Sequence, residues 1–286
     1  MKYIESRNNP IIKRALKAIS NPSAENLIVV EGHKLLGEAI KSGAKPEMIF
    51  VNTEETGLLG NHSSLLRNAK HCSPLSQPNG CQLPQSKTFG EHLVEITYKI
   101  SKGLMRELST VQTPNEVIAF LTPSPSPELE DVVTKAEMLV VLDRLQDPGN
   151  IGTIMRTSEA MGVSAIILLK GCCNPNNHKV IRAAMGSNFR LPVIANVDVE
   201  NLFSILNKNG YMTICADMRG TTLKSFKFDE KSALFMGQEG QGLSDFIKDK
   251  CKSRVAIPMC GEVESLNVAT SAAMCLYEWA RNRFEK

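Results

Sequence analysis

Asn150, Arg156, Glu239, Ser265 and Asn267 are short or forked polar side chains. Each lies in or just after a glycine-containing stretch that follows an apolar run. The most informative run is Ile257-Pro258-Met259-Cys260-Gly261-Glu262-Val263-Glu264-Ser265-Leu266-Asn267-Val268, where a strand-like segment from Arg254 to Pro258 enters a polar turn. A helix is predicted from Asn267 to Arg283, with Val268, Ala272, Cys275, Leu276 and Trp279 on one face. In an open α/β sheet, ligands bind beyond the carboxyl ends of strands, where backbone amides and small polar side chains approach them closely. An ordinary strand-to-helix connection with a Ser or Asn cap would use the same residues. Two more segments share the design. Ala233 to Gly237 reads as a buried strand followed by Gln238-Glu239-Gly240-Gln241-Gly242-Leu243-Ser244, and Met138 to Asp143 reads as a strand followed by Asp147-Pro148-Gly149-Asn150-Ile151-Gly152. A helix starting near Ile151 would bring its first-turn amides and the Arg156 guanidinium to one sheet edge, where a phosphate could sit. For Arg156 taken alone, a solvated helix face is the favoured explanation.

The elements that must position these residues divide the chain near residue 130. Asn26 to Glu31 and Met48 to Val51 read as strands and His33 to Lys41 as a helix, so residues 1–121 form a small α/β unit. Residues 122–137 open with the Pro, Ser and acid mixture of Thr122 to Asp131, which suits a stiff exposed linker. From Met138 to the end, strands and helices alternate in the rhythm of a parallel sheet. Around 68–87 the Pro, Asn, Gln and Ser content predicts an extended surface loop. The glycine stretch 237–242 lacks the spacing of a dinucleotide fingerprint, and no Walker loop is present.

Composition bounds the rest. A chain of 286 residues with 42% apolar content suits two globular domains. The net charge of +3 is small for a nucleic-acid binder, yet Arg7, Lys13, Arg14 and Lys17, with Lys2, face only Glu5 within the first twenty residues. Such a cluster can track phosphates, and a solvated helix face has the same look. The eight cysteines form no CxxC pair and no metal-ligand pattern with the five histidines, so neither a metal nor a redox motif is expected. Cys215 and Cys275 read as small core residues. The unpaired thiols suit a reducing interior. The first residues are no signal peptide and the apolar runs are too short to span a membrane, so a soluble, cytoplasmic protein without membrane contact is expected.

Taken together, DPGNIGTIMRTSEAMGV, GQEGQGLS and IPMCGEVESLNVATSAA resemble, in order and spacing, the three motifs of the SpoU or TrmH family of RNA ribose 2'-O-methyltransferases. The resemblance covers about residues 138–284. It implies an α/β fold of the SPOUT class, a parallel-sheet catalytic domain with a carboxyl-terminal trefoil knot, preceded by a small α/β substrate-binding domain. It places Asn150, Arg156, Glu239, Ser265 and Asn267 at the reacting ribose and its phosphate. S-adenosylmethionine would be held mainly by backbone at Gly237, Ile257 and Leu266, with Met236, Gly240, Met259 and Gly261 nearby. Gln238, Ala184 and Ala269 depart from frequent family choices without removing a proposed catalytic residue.

Methyl transfer from a sulfonium is an in-line displacement in which alignment supplies much of the catalysis, and it needs no metal. The family's favoured base is the equivalent of Arg156. A guanidinium stays protonated, however, so a phosphate clamp that steadies the developing alkoxide is an equally open role. Glu239, a water or the phosphate could then take the proton. The resemblance also implies a homodimer and an RNA substrate, with ribosomal RNA favoured over tRNA by the extra amino-terminal domain. The reading from another class is a catalytically silent RNA-binding protein acting in ribosome assembly.

Overall fold

The structure, a computed structural model, describes residues 1–21, 25–52, 89–238, 240–261 and 265–281. The surface loop expected at 68–87 lies outside them. The chain splits into two compact units, Met1–Ser124 and Pro125–Lys286.

The first unit contains β1 (Lys2–Ile4), α1 (Pro10–Ser20), β2 (Ile28–Glu31), α2 (His33–Lys41), β3 (Lys45–Asn52), α3 (Phe89–Glu95), β4 (Thr97–Ile100), α4 (Lys102–Leu108) and β5 (Val117–Thr122). Helix α1 begins where a helix should. Asn9 accepts the Ile11 amide through its side chain, Pro10 occupies the first turn where its missing N–H costs nothing, and Ile12, Ala15 and Ala18 are buried at three-residue intervals. The strands form one sheet in the order β1-β4-β3-β5-β2, with β5 antiparallel to both of its neighbours. Phe50 and Phe120 meet edge to face across the core, centroids 5.8 Å apart.

The second unit begins earlier than the sequence implied. Residues 129–135, expected as linker, form α5 (Leu129–Lys135), with Val133 fully buried and Leu129 and Val132 packed on the core. The prolines end at Pro127. Glu130 and Asp131, which read as linker acids, complement the positive end of this helix dipole instead. The buried Tyr211 hydroxyl donates to the Val133 carbonyl at 2.9 Å and secures the same helix.

Then follow β6 (Met138–Leu142), α6 (Pro148–Ala160), β7 (Ala165–Leu169), α7 (His178–Ala184), β8 (Val193–Val197), α8 (Val199–Lys208), β9 (Met212–Thr222), β10 (Ser232–Met236), α9 (Asp245–Lys250), β11 (Ser253–Ala256) and α10 (Val268–Ala280). All six strands are parallel, in the order β11-β9-β10-β6-β7-β8. The α/β fold with a parallel sheet is therefore the one expected. Strands β6, β7 and β10 are buried along their whole length, as near-continuous apolar runs between two helical layers must be. Strand β11 is instead an edge strand that stops at Ala256, leaving Ile257 and Pro258 in the connection. One face of the sheet packs on α6, α7 and α10, the other on α5, α8 and α9.

Helix α10 follows its predicted spacing: Val268, Ala272, Cys275, Leu276 and Trp279 are all buried, and Cys215 and Cys275 are core residues. Among the described residues no helix is long and apolar enough to cross a membrane.

Gly152 sets the distance between α6 and α7. A Cβ there would lie 2.5 Å from Ala183 Cβ, 2.6 Å from the Val180 carbonyl oxygen and 2.8 Å from the Ala184 nitrogen. Backbone atoms cannot rotate aside, so Gly152→Ala should destabilise the unit by about 1–3 kcal/mol despite the higher helix propensity of alanine. Urea unfolding would measure this, and a more stable variant would show that the helices separate freely.

Candidate active site

The helix after β6 starts three residues earlier than expected. Helix α6 begins at Pro148 rather than near Ile151, and Asp147 caps it by accepting the Asn150 amide at 2.8 Å. One first-turn amide expected at a phosphate is thus taken by the chain's own carboxylate, and Pro148 has none to offer. Asn150 is half-buried in this first turn, while Arg156 stands exposed on the same helix, about 9 Å further along its axis. Three residues beyond, Glu159 pairs with Arg190, whose Nη2 lies 3.0 Å from Glu159 Oε2. The Arg190 hydrogen bond holds the Glu159 carboxyl below its usual range. Its stabilising contribution is therefore present above the ordinary carboxylate pKa and fades as pH falls through the depressed one.

The exit of β10 folds back on itself. Gly242 N–H donates to the Gln238 carbonyl at 2.8 Å, and Gly240 and Gly242 take φ values of 82° and 66° that side chains disfavour. Gly237 lies flat against the return strand: a Cβ there would be 2.3 Å from Gly242 C and Leu243 N. Met236 is a core residue whose carbonyl accepts the Asp143 amide at 2.9 Å, so only its backbone reaches the loop. Glu239 lies outside the described residues. The sequence reading passed over Asp143, which is buried at 5% exposure and accepts the Ser244 amide at 3.0 Å. An acid closing an otherwise apolar strand was the available signal.

The third connection meets the first. Asn267 caps α10, its Oδ1 accepting the Ala269 and Thr270 amides at 2.9 and 3.2 Å. That leaves its Nδ2 as donor, and Nδ2 binds Asn150 Oδ1 at 2.9 Å across 117 residues of sequence. The helix thereby fixes which way both amides face: the carbonyl end of Asn150 is committed to Asn267 and its Nδ2 is turned to donate. Ser265 and Gly261 are exposed, Leu266 and Met259 half-buried, and Ile257 packs partly on the core. Glu262, Val263 and Glu264 lie outside the described residues.

The amino-terminal cations fare differently. Arg14 pairs with Glu47 at 2.7 Å and Glu25 at 3.3 Å, Lys17 with Glu25 at 2.6 Å, and Arg7 with Glu107 at 3.0 Å. The expected positive excess is therefore offset by acids from elsewhere in the fold. Among the described residues only Lys13 of the four has no carboxylate partner.

Asn267→Ala removes both the cap and the cross-link and should cost about 1 kcal/mol in urea unfolding. Asn267→Asp keeps the cap oxygen and should retain most of that stability while losing the donor to Asn150. Equal stability of the Ala variant and the wild type would contradict the cap.

Residues 137–277 match the SpoU rRNA Methylase family. An uncharacterised tRNA/rRNA methyltransferase of Synechocystis is 35% identical over 194 residues, covering 66% of this chain and 68% of its own. The Bacillus subtilis 23S rRNA (guanosine(2553)-2'-O)-methyltransferase RlmP is 28% identical over 97% of this chain and 98% of its own. Among solved structures, an AdoMet-bound rRNA methyltransferase from Sinorhizobium meliloti superposes with a TM-score of 0.79 at 23% identity, covering 99% of this chain and 98% of the other, a likeness of fold. With its three motif segments gathered at the carboxyl edge of one parallel sheet, this chain belongs to the SpoU rRNA methylase family.

Proposed function

We infer that the protein transfers a methyl group from S-adenosylmethionine to a ribose 2'-hydroxyl of RNA, and that the RNA is ribosomal. The observation that carries this reading is the Asn267–Asn150 hydrogen bond, which joins the first and third motif segments into one polar site in a chain of this family. The preference for ribosomal RNA rests on the end-to-end match to a relative named for 23S rRNA.

The cofactor supplies an electrophilic methyl on a sulfonium. Backbone of Gly237, Ile257 and Leu266 would line its place, with Gly240, Met259 and Gly261 beside it and Met236 anchoring the strand end. The loops suit this role: among the described residues the Cβ positions of Gly240 and Gly261 meet no atom within 4 Å, so a ligand can approach the backbone there. Asn150, Ser265 and Asn267 would bind and orient the ribose by hydrogen bonds. Arg156, exposed and rigidly mounted on α6, would clamp the neighbouring phosphate and steady the alkoxide. Glu239, the phosphate or a water would accept the proton.

The carboxyl-terminal segment would pass through a trefoil knot, a reading supported by the chain's path from β10 out to the edge strand β11 and back to α10 on the α6 side. A homodimer fits α10, which exposes Met274 and Tyr277, 41% and 57% accessible, on one face. The first unit would recognise RNA, Lys13 providing phosphate contact more readily than the ion-paired Arg14, Lys17 and Arg7. The protein would work in the cytoplasm.

Arg156→Ala should lower methyl transfer to unmodified ribosomal RNA at least a hundredfold while leaving S-adenosylmethionine affinity within a fewfold. Gly261→Leu should weaken cofactor binding without lowering stability, since its side chain meets none of the described residues. Calorimetry and methyl incorporation read both, and an inactive wild type that still binds RNA would favour the silent reading. In light scattering the chain should give about twice its 31.4 kDa mass, and Tyr277→Glu should shift it to monomer.

A further inference from the structure

The two residues that follow β6, Asp143 and Arg144, form a clamp that the methyl-transfer reading does not use. The Asp143 carboxylate accepts three bonds from Arg144, from Nε to Oδ1 at 3.2 Å and to Oδ2 at 3.3 Å, and from Nη2 to Oδ2 at 3.2 Å. The same Nη2 donates to the Gly242 carbonyl at 3.3 Å, while Asp143 Oδ2 accepts the Ser244 amide at 3.0 Å. The pair therefore grips the β10 exit loop on both sides of Leu243. Arg144 adopts φ 56°, a left-handed conformation that a non-glycine residue keeps only where its surroundings hold it.

Those surroundings come from the other neighbouring strand. The place of a Cβ on Gly171 is 3.4 Å from Arg144 Cγ, Gln146 Nε2 donates to the Gly171 carbonyl, and Cys173 N–H donates to the Leu145 carbonyl at 2.7 Å. Residues 143–146 are thus braced between the exits of β7 and β10, which flank β6 in the sheet. Movement of Gly242 reaches Gly237 directly, because the backbone contact between them leaves no slack.

We propose that Asp143 and Arg144 are positioning residues: their ion pair latches residues 242–244, on the return of the β10 exit loop, in their cofactor-binding shape, and so sets affinity for S-adenosylmethionine rather than the rate of transfer. This rests on the reading of that loop as part of the cofactor site. An ion pair between the buried Asp143 and the partly exposed Arg144 adds little net stability as a pair, but it demands one geometry, which is what a positioning role needs.

The test uses the full chain, with S-adenosylmethionine titrated by calorimetry and kcat and KM measured separately. Arg144→Ala should raise the cofactor Kd and KM about tenfold, while kcat at saturation stays within about twofold; the thermal midpoint should fall as well, because Asp143 is left buried without its cation. Arg144→Lys, which restores the charge but not the forked geometry, should recover part of the affinity. Asp143→Asn, still able to accept the Ser244 amide, should show a smaller loss of the same kind. Unchanged affinity in Arg144→Ala, or a fall confined to kcat, would overturn the latch. Gly261→Leu separates the two readings: if it weakens cofactor binding and Arg144→Ala does not, the latch alone fails, and if neither does, the site has been misplaced.

Discussion

The site depends on bringing the amino end of α10 to the amino end of α6. The two helices lie far apart in sequence and pack on the same face of the sheet, and Asn267 converts that packing into chemistry. Its carbonyl is consumed by its own helix, so its amide nitrogen has to look outward, and Asn150 answers it. An amide pair of this kind is a weak contact by itself, worth about 1 kcal/mol net. Its importance lies in direction: with the Asn267 carbonyl fixed by the helix and the Asn150 carbonyl by Asn267, the donors and acceptors that the proposed site would present are fixed too. Pre-aligned groups of this sort are what a displacement reaction requires, because misalignment costs rate even when every residue is present.

Tight backbone contacts make the arrangement rigid. Gly152 lets α6 lie on the backbone of α7, and Gly237 lets the β10 exit close on Gly242 and Leu243. Both are places where a methyl group has no room, so the separations of helices and loop strands are set by hard contact rather than by adaptable side chains. The ion pair of Glu159 with Arg190 ties the far end of α6, three residues beyond Arg156, to the chain that follows α7. The polar residues can then be few and exposed because their mounts do not move.

Much of this was legible in the residues. The parallel sheet followed from apolar runs alternating with helical spacing, α10 from the positions of Val268, Ala272, Cys275, Leu276 and Trp279, and the proposed site from three glycine-containing exits whose types suit ligand contact. Local signals carry these because hydrophobic periodicity and cap residues act within a few positions. The start of α6 was misplaced because Asp147 and Pro148 were read as turn residues, although the same two residues make a strong helix start. Helix α5 was missed because proline and acid composition outweighed the short apolar stretch around Val133.

Tertiary structure alone decided which charged and polar groups meet. The amino-terminal cations look unopposed along the sequence, yet Glu25, Glu47 and Glu107 arrive from other elements to pair with them. Asp143 reads as an ordinary strand end until β10 delivers the Ser244 amide beside it, 101 residues away. The sequence by itself determined the elements, their apolar faces and the residue types at each strand exit, since those are properties of short windows. The partner of each polar side chain depends on how the strands are ordered in the sheet, and that order is set by burial summed over the whole domain, which no window of residues contains.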